Sequence, residues 1–486
     1  NLIRTIFICA QKPYGLFFGP NTSTSNRCTI GGMVGNNSSG TTSIKYGVTR
    51  DHVMELKTIL SNASNAHFKS LSPDAFYSKK EENSMEAKIY QWVQDLAQNE
   101  DLFNEIQQEF PKKSIHRRNT GYALDSLSDQ FPVNPYSDAL NLCSLITGSE
   151  GTLCFTTAIK LKLSDLPPEF AGLVCLHFDS LEDAMRMTVQ VMKEDLYACE
   201  LMDRYVMDAA LSNPRQKANS FFIKGQPQAI LCLEFRNQDF IELSEQLEVF
   251  KKACTESERV ADYTVFTDSN DIERIWEYRK AGLGVLSNLP GDAKPVACVE
   301  DTAVALEELP DFVAEMQEIF QKYHQNAVFY AHAGAGELHV RPILNLKSQK
   351  DQQDFKNITN EVAILTKKYA GSLSGEHGDG RVRAPYIPLM YSDTIIKAFK
   401  ELKHIFDPNG IMNPGKIVDP KDILEDLRYN NVESVISPKT MYDFGETGYL
   451  AMAERCNGSG DCRKSAQQKG SMCPTYHATQ NEMHST

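Results

Sequence analysis

A chain of 486 residues is about three times a usual domain, enough for two to four hydrophobic cores. Its 64 acidic against 50 basic residues leave a formal charge of −14, a diffuse acidic surface that repels phosphate backbones and anionic membranes and excludes nucleic acid as a partner. No apolar run reaches the roughly eighteen residues that span a bilayer, so no transmembrane segment is expected.

The chain starts at Asn1 rather than Met and stops at Thr486 within a polar, cysteine-bearing segment. Both ends are expected to be cuts in a longer protein. Residues 15–162 open rich in Gly, Ser, Thr and Asn and close on a strand-like run at 154–163, which predicts a loop-rich α+β domain over 1–165. Within it, 61–136 is charged, has helical spacing near 86–98 and reads as an insertion without an assignable role. Leu166-Pro167-Pro168 punctuates the chain. Strands predicted at 171–178, 228–235 and 327–332 then alternate with helices at 180–194 and 305–323, a second α/β domain over 166–417. A linker is expected at 418–447 and a cysteine-bearing segment at 448–486.

Nine of the twelve cysteines stand singly in apolar contexts and are expected to be reduced core residues. The other three, Cys456, Cys462 and Cys473, crowd into eighteen residues.

The segment running from Arg27 to Gly40 places four glycines among Thr29, Asn36, Asn37, Ser38 and Ser39. Backbone without a Cβ can approach a ligand closely, and the small polar side chains offer donors and acceptors, which suits a diphosphate or a flavin edge; an ordinary tight loop has the same composition. Leu145-Ile146-Thr147-Gly148-Ser149-Glu150-Gly151-Thr152-Leu153 repeats the pattern before a strand. Neither segment is the G-x-G-x-x-G of a nicotinamide-binding unit.

His332 and His339 flank a glycine-bearing loop in Ala331-His332-Ala333-Gly334-Ala335-Gly336-Glu337-Leu338-His339, and Gly375-Glu376-His377-Gly378-Asp379-Gly380 adds a carboxylate. Two imidazoles and a carboxylate with open positions suit Zn²⁺ or another divalent ion, with surface or satisfied-core histidines as the alternative. A metal hydrolase built on His332, His339 and Glu376 is a rival class, and an electron-transfer or scaffold module a third. Arg279 on a predicted helix and Lys294, fifteen residues on, are cations that a solvated face would also explain, though an arginine suits bidentate contact with a carboxylate.

The two glycine segments, the first continuing through Lys45-Tyr46-Gly47-Val48-Thr49-Arg50-Asp51, resemble the paired flavin-contacting loops of the FAD-linked oxidases of the vanillyl-alcohol-oxidase fold. Most of the chain is similar to the large bacterial dehydrogenases of D-2-hydroxyglutarate or D-lactate type fused to an iron-sulfur region. The resemblance implies an α+β fold: an FAD-binding domain of that type, an α/β substrate (cap) domain with antiparallel sheet, and the start of a ferredoxin-like iron-sulfur segment. It implies that Ser25, Gly31, Gly32, Asn36, Asn37, Gly40, Gly148, Glu150, Gly151 and Asn413 line FAD, with Thr120-Gly121-Tyr122 nearby. It implies that His332, His339 and Glu376 bind the metal, that His377 takes the substrate hydroxyl proton, and that Arg279 and Lys294 hold carboxylates. Relatives carry a threonine where this chain has Leu283, and the family's further Arg- and Gly-rich diphosphate loop has no counterpart before Gly15.

Cys456, Cys462 and Cys473, the last in a Cys-Pro pair, resemble part of a 4Fe-4S ligand set, with Ser459 in the place of one cysteine; a structural zinc site is the rival, without an obvious fourth ligand at suitable spacing. The implied activity is FAD-dependent oxidation of a D-2-hydroxy acid to the 2-keto acid. Electrons would pass through the iron-sulfur centre to a quinone or an electron-transfer protein. The expected location is cytoplasmic, or peripheral to the inner membrane.

Overall fold

Strands of the first third build a small sheet that carries the glycine-rich segments. In the computed structural model, which describes residues 3–211, 213–286, 291–429, 439–445, 448–454, 456, 460–463 and 473–485, these are β1 (Leu16–Phe17), β2 (Val53–Ile59), β3 (Asn65–Phe68), β4 (Phe155–Leu161) and β5 (Ser164–Asp165). The order β3-β2-β4 is antiparallel throughout, and Leu56 sits opposite both Phe68 and Ile159. β1 pairs with β5 and closes the lobe.

The stretch 61–136, expected to be an insertion, is part of this core. Its helices Pro73–Lys80, Met85–Ala97 and Glu100–Glu109 bury Phe76, Ile89, Tyr90, Val93 and Ile106 in the same cluster as Leu56 and Phe68. Ile89, Tyr90, Val93 and Leu96 recur at helical spacing, while the opposite faces carry the charges that set the composition.

The larger sheet comprises β6 (Phe170–Phe178), β7 (Ala198–Asp203), β8 (Ala229–Asn237), β9 (Asp262–Phe266), β10 (Lys294–Pro295), β11 (Val299–Ala303), β12 (Ala327–His332) and β13 (Glu337–Leu344). The order is β10-β13-β12-β7-β8-β6-β9, with β11 also on β13, and all pairs are antiparallel. The expected α+β class with an antiparallel sheet is therefore the one found. Both faces are covered, which is why β6 and β8 read as continuous apolar runs rather than alternating ones. Val174, Leu176 and Leu231 belong to the main cluster; Leu173, Cys175, Cys232 and Tyr330 face the helices Arg204–Leu211 and Ser269–Leu286.

Seven of the nine isolated cysteines are buried as expected, but Cys9 is exposed and Cys28 half-buried, because the first helix, Arg4–Gln11, lies at the surface. The linker expected at 418–447 falls partly outside the described residues. Among the described residues no helix is long and apolar enough to cross a membrane.

Candidate functional site

The β12–β13 hairpin sets His332 opposite Glu337 and Tyr330 opposite His339. Side chains two apart on a strand share a face, so the two histidine rings stand 5.0 Å apart. The turn between the strands needs glycine at 336: φ is +68°, and a Cβ there would lie 2.2 Å from the Val304 carbonyl oxygen.

The third member arrives on a loop moulded by Asp301. Its carboxylate accepts the N–H groups of Glu376 at 2.7 Å and His377 at 2.8 Å and the Ser374 hydroxyl, while its carbonyl accepts Gly375 N–H at 2.6 Å. Glu376 Oε1 then lies 3.4 Å from His332 Nε2, 3.6 Å from His339 Nε2 and 3.5 Å from His377 Nε2. Its other oxygen accepts from Arg117 Nη1 at 2.6 Å and from the Ser39 hydroxyl at 3.1 Å.

Donors that share a four-coordinate ion at ~2.0–2.1 Å stand about 3.3 Å apart; Glu376 Oε1 is near that spacing from both histidines, and the three ligand atoms lie within 4.8 Å of one another. His339 Nδ1 is buried with no hydrogen-bond partner among the described residues. Two imidazoles and a carboxylate gathered this closely fit a divalent ion with open positions.

Charge in this nest is compensated piece by piece. Burial opposes ionisation of Glu376, but Arg117 and the adjacent imidazoles outweigh it and hold its carboxyl well below the usual range. Burial, with the charges of His377 and His332, pushes His339 well below its ordinary value, which keeps it neutral and able to ligate. His377 goes the other way: burial is outweighed by Asp301, Glu300 and Glu376, which raise it well above its ordinary value. A cation among those carboxylates acts in the opposite sense. His377 stacks on His339 at 5.0 Å, and 36% of its side chain is exposed, enough to meet a small molecule.

The cluster sits in the wall of a cavity of about 580 Å³. Its lining combines hydroxyl-bearing residues of 22–25 and 38–42 with Glu234, Arg236, Trp276 and Arg279. Arg279 is buried, ion-paired with Glu200, and donates to Tyr330 Oη at 2.6 Å and to the Ala331 carbonyl at 3.1 Å. Its guanidinium lies over the Tyr330 ring at 4.2 Å. Lys294 is not in the lining: at the start of β10 its Nζ donates to the Gly291 carbonyl at 2.7 Å. The Leu283 side chain lies outside the described residues.

Of the residues expected around FAD, the structure brings Ser25, Asn36 and Gly40 into the lining. Gly40 packs so closely that a Cβ would fall 1.5 Å from the Asn21 carbonyl oxygen. Asn37, Gly148, Glu150 and Asn413 stand behind the lining as scaffold. Asn37 accepts Arg50 N–H at 2.8 Å and donates to Asn119 at 3.1 Å, and Gly148 (φ +89°) leaves no room for a Cβ beside Arg50 and Asn119. Glu150 binds the Asp379 and Gly380 N–H groups at 2.6 and 3.0 Å through its carboxylate, and its own carbonyl accepts from Asn413 at 2.7 Å. Gly31 and Gly32 are exposed in the first turn of helix Ile30–Asn36, Gly31 with nothing within 4 Å of an added Cβ, and Gly151 is likewise open. Thr120 and Tyr122 are buried, hydrogen-bonded to Ser372 and Thr152. Gly31, Gly32 and Gly151 are outside the lining, but a hydroxyl-lined cavity of this volume with the Gly40 backbone in its wall fits a flavin nucleotide.

Sequence reasoning missed Arg117, Glu200, Asp301 and Glu337, all essentially fully buried around the histidines. Glu200 lies in the apolar run Ala198-Cys199-Glu200-Leu201-Met202. A lone acid in a buried strand is a signal in itself, since burying a charge is costly unless it is paired.

The three C-terminal cysteines do not form such a group. Cys456 is exposed, Cys462 half-buried, and Cys473 buried with its thiol donating to the His484 carbonyl at 3.1 Å. Among the described residues the possible metal-holding groups all include His339, and none includes a cysteine.

Two solved proteins share this architecture at low sequence identity. They are the 4-ethylphenol oxidase from Gulosibacter chungangensis (TM-score 0.53, 12% identity, 86% of this chain and 75% of that one) and p-cresol methylhydroxylase (TM-score 0.51, 12% identity, 86% and 74%). The class is a flavoenzyme fold of the vanillyl-alcohol-oxidase type. The chain belongs to the FAD-linked oxidases: the family described as "FAD linked oxidases, C-terminal domain" matches residues 167–417, and the "FAD binding domain" matches 8–67. Similar curated relatives are the D-2-hydroxyglutarate dehydrogenases of Pseudomonas putida and Escherichia coli K12, each 32% identical over 98% of this chain, and the glycolate oxidase subunit GlcD of Bacillus subtilis, 26% identical over 86%. The chain covers 47% and 46% of the two dehydrogenases, about half their length, and 74% of GlcD.

Proposed function

We propose that this chain carries the FAD-dependent oxidation of a D-2-hydroxy acid of the 2-hydroxyglutarate class to the 2-keto acid, at a site that also holds a divalent metal, Zn²⁺ foremost. The observation that carries the reading is the position of Glu376 Oε1 between His332, His339 and His377 in the wall of a cavity that also presents Ser25, Asn36, Gly40 and Arg279. The names of the dehydrogenase relatives support the substrate class.

A bound flavin supplies the hydride acceptor and a bound divalent ion the Lewis acidity. His332, His339 and Glu376 would hold the ion. Glu200, both of whose carboxylate oxygens lie 2.9 Å from His332 Nδ1, fixes the tautomer that turns Nε2 toward Glu376. His377 takes the hydroxyl proton, and Arg279, already oriented by Glu200 and Tyr330, meets a carboxylate at the cavity wall.

In the whole protein we place electron exit through a 4Fe-4S centre to which Cys456, Cys462 and Cys473 contribute, then to a quinone or an electron-transfer protein, in the cytoplasm or at the inner membrane's surface. The cysteine spacing and the family resemblance support that step. The test of the reaction is anaerobic titration of the FAD-loaded protein with D- and L-2-hydroxy acids. D-isomers are expected to bleach the flavin band, and a flavin that none of them reduces overturns the reading.

A further inference from the structure

β8 presents Cys232, Glu234 and Arg236 to one face of the large sheet, Cys232 opposite Glu200 and Glu234 opposite Ala198. Glu200 is the acid that orients Arg279 and His332. One row along, Glu234 plays a similar part for a different pair: Oε2 accepts the Trp276 indole N–H at 2.7 Å, and Oε1 accepts from Arg236 Nε. Arg236 Nη1 donates to the Pro168 carbonyl at 3.1 Å. Two of its three nitrogens are thus fixed, and Nη2 has no partner among the described residues. Its side chain is 25% exposed where it lines the cavity.

The two arginines are linked through one helix. Trp276, held by the same acid as Arg236, precedes Arg279 by three residues on Ser269–Leu286, a rise of about 4.5 Å. Along β8, Glu234 lies two residues beyond Cys232, about 6.6–6.8 Å. A second oriented guanidinium therefore stands in the lining of the same cavity as Arg279. Lys294, the other cation expected from the sequence, is not in the lining.

We propose that Arg236, positioned by Glu234 and Pro168, receives the distal carboxylate of the substrate and so sets the preference for dicarboxylic over monocarboxylic 2-hydroxy acids, an inference that rests on the 2-hydroxy acid reading above. A carboxylate at Nη2 completes a charge-assisted pair whose geometry exists before the ligand arrives, so little ordering is lost on binding.

The experiment compares Arg236→Gln and Arg236→Lys with the parent, all FAD-loaded. Equilibrium binding of 2-oxoglutarate and pyruvate is read from the flavin spectrum, and kcat/KM of flavin reduction is read for D-2-hydroxyglutarate and D-lactate. Arg236→Gln is expected to weaken the dicarboxylates about 10- to 100-fold and leave the monocarboxylates within about twofold. Arg236→Lys should recover much of the loss, and because it keeps the charge it still reports if the Gln variant folds poorly: a shift of the dicarboxylate-to-monocarboxylate ratio below the parent's is expected there too. Equal losses for both classes, or no loss for either, overturn the proposal. If the parent protein is reduced by no 2-hydroxy acid, the functional reading falls, while the keto-acid binding comparison still decides Arg236.

Discussion

Both carboxylate oxygens of Glu200 lie 2.9 Å from Nδ1 of His332, so a single buried acid on β7 sets the orientation of a ring on β12. Partners of this kind typically contribute about 10- to 100-fold to metal affinity. Glu200→Ala is therefore expected to weaken metal retention by about that factor with flavin content nearly unchanged, as measured by competition with a chelator. Undiminished retention would show that the His332 ring is held by its packing alone.

His339 and His377 stack at 5.0 Å yet are assigned different work. His339→Ala should deplete the metal and abolish turnover. His377→Asn should keep metal and FAD and slow flavin reduction about 10²- to 10⁴-fold, the range a general base contributes. Stopped-flow reduction with metal analysis on the same samples separates the roles, and a His377 variant that loses its metal counts against the division.

Gly40→Ala places a methyl group 1.5 Å from the Asn21 carbonyl oxygen, where backbone on both sides must move. The expected outcome is loss of FAD binding together with a lower melting temperature. Gly31→Ala, with open space around the added carbon, should fold normally. Similar behaviour of the two variants in flavin content and melting temperature would contradict the close packing at Gly40.

Burial pushes the Asp203 carboxyl up to about 7, although the N–H groups of Phe329 and Val206 donate to it. The folded pKa is above the ordinary value of about 3.9, so the folded chain holds a proton that the unfolded chain releases. That contribution to stability is complete below about pH 4 and is lost as pH rises through about 7. Asp203→Asn should remove this component, so that stability relative to the parent improves between about pH 5 and about pH 8 in urea unfolding. A stability difference that does not change with pH over that interval would show that Asp203 is ionised in the folded chain.

Much of the architecture was legible because hydrophobic period reports packing. β12 falls at 327–332 as expected, and β6 and β8 begin and end within two residues of the predicted strands. The histidines and Glu376 were legible because glycine contexts leave little else for such residues to do. Arg117 and Lys294 show why the rest was not. Arg117 stands in Ser114-Ile115-His116-Arg117-Arg118-Asn119, inside the charged stretch read as an insertion, yet it is fully buried between Glu337 and Glu376. Its partners lie more than two hundred positions away, beyond any local pattern. Lys294 carries the charge a carboxylate needs, but its pairing in β10 opposite Leu344 decides where the side chain sits.

Glu150 ties together segments that are far apart in the chain: its N–H bonds the Gly35 carbonyl, its carboxylate takes the 379–380 backbone, and its carbonyl takes Asn413. During synthesis from the N-terminus these bonds cannot all exist until position 413 has left the ribosome. The glycine-rich loops that emerge first must wait, without their final partners, for several hundred residues of later chain. Chaperones and flavin supply during translation thus bear on the yield of active protein, because the nascent chain exposes unfinished surface for longest where its cofactor site begins.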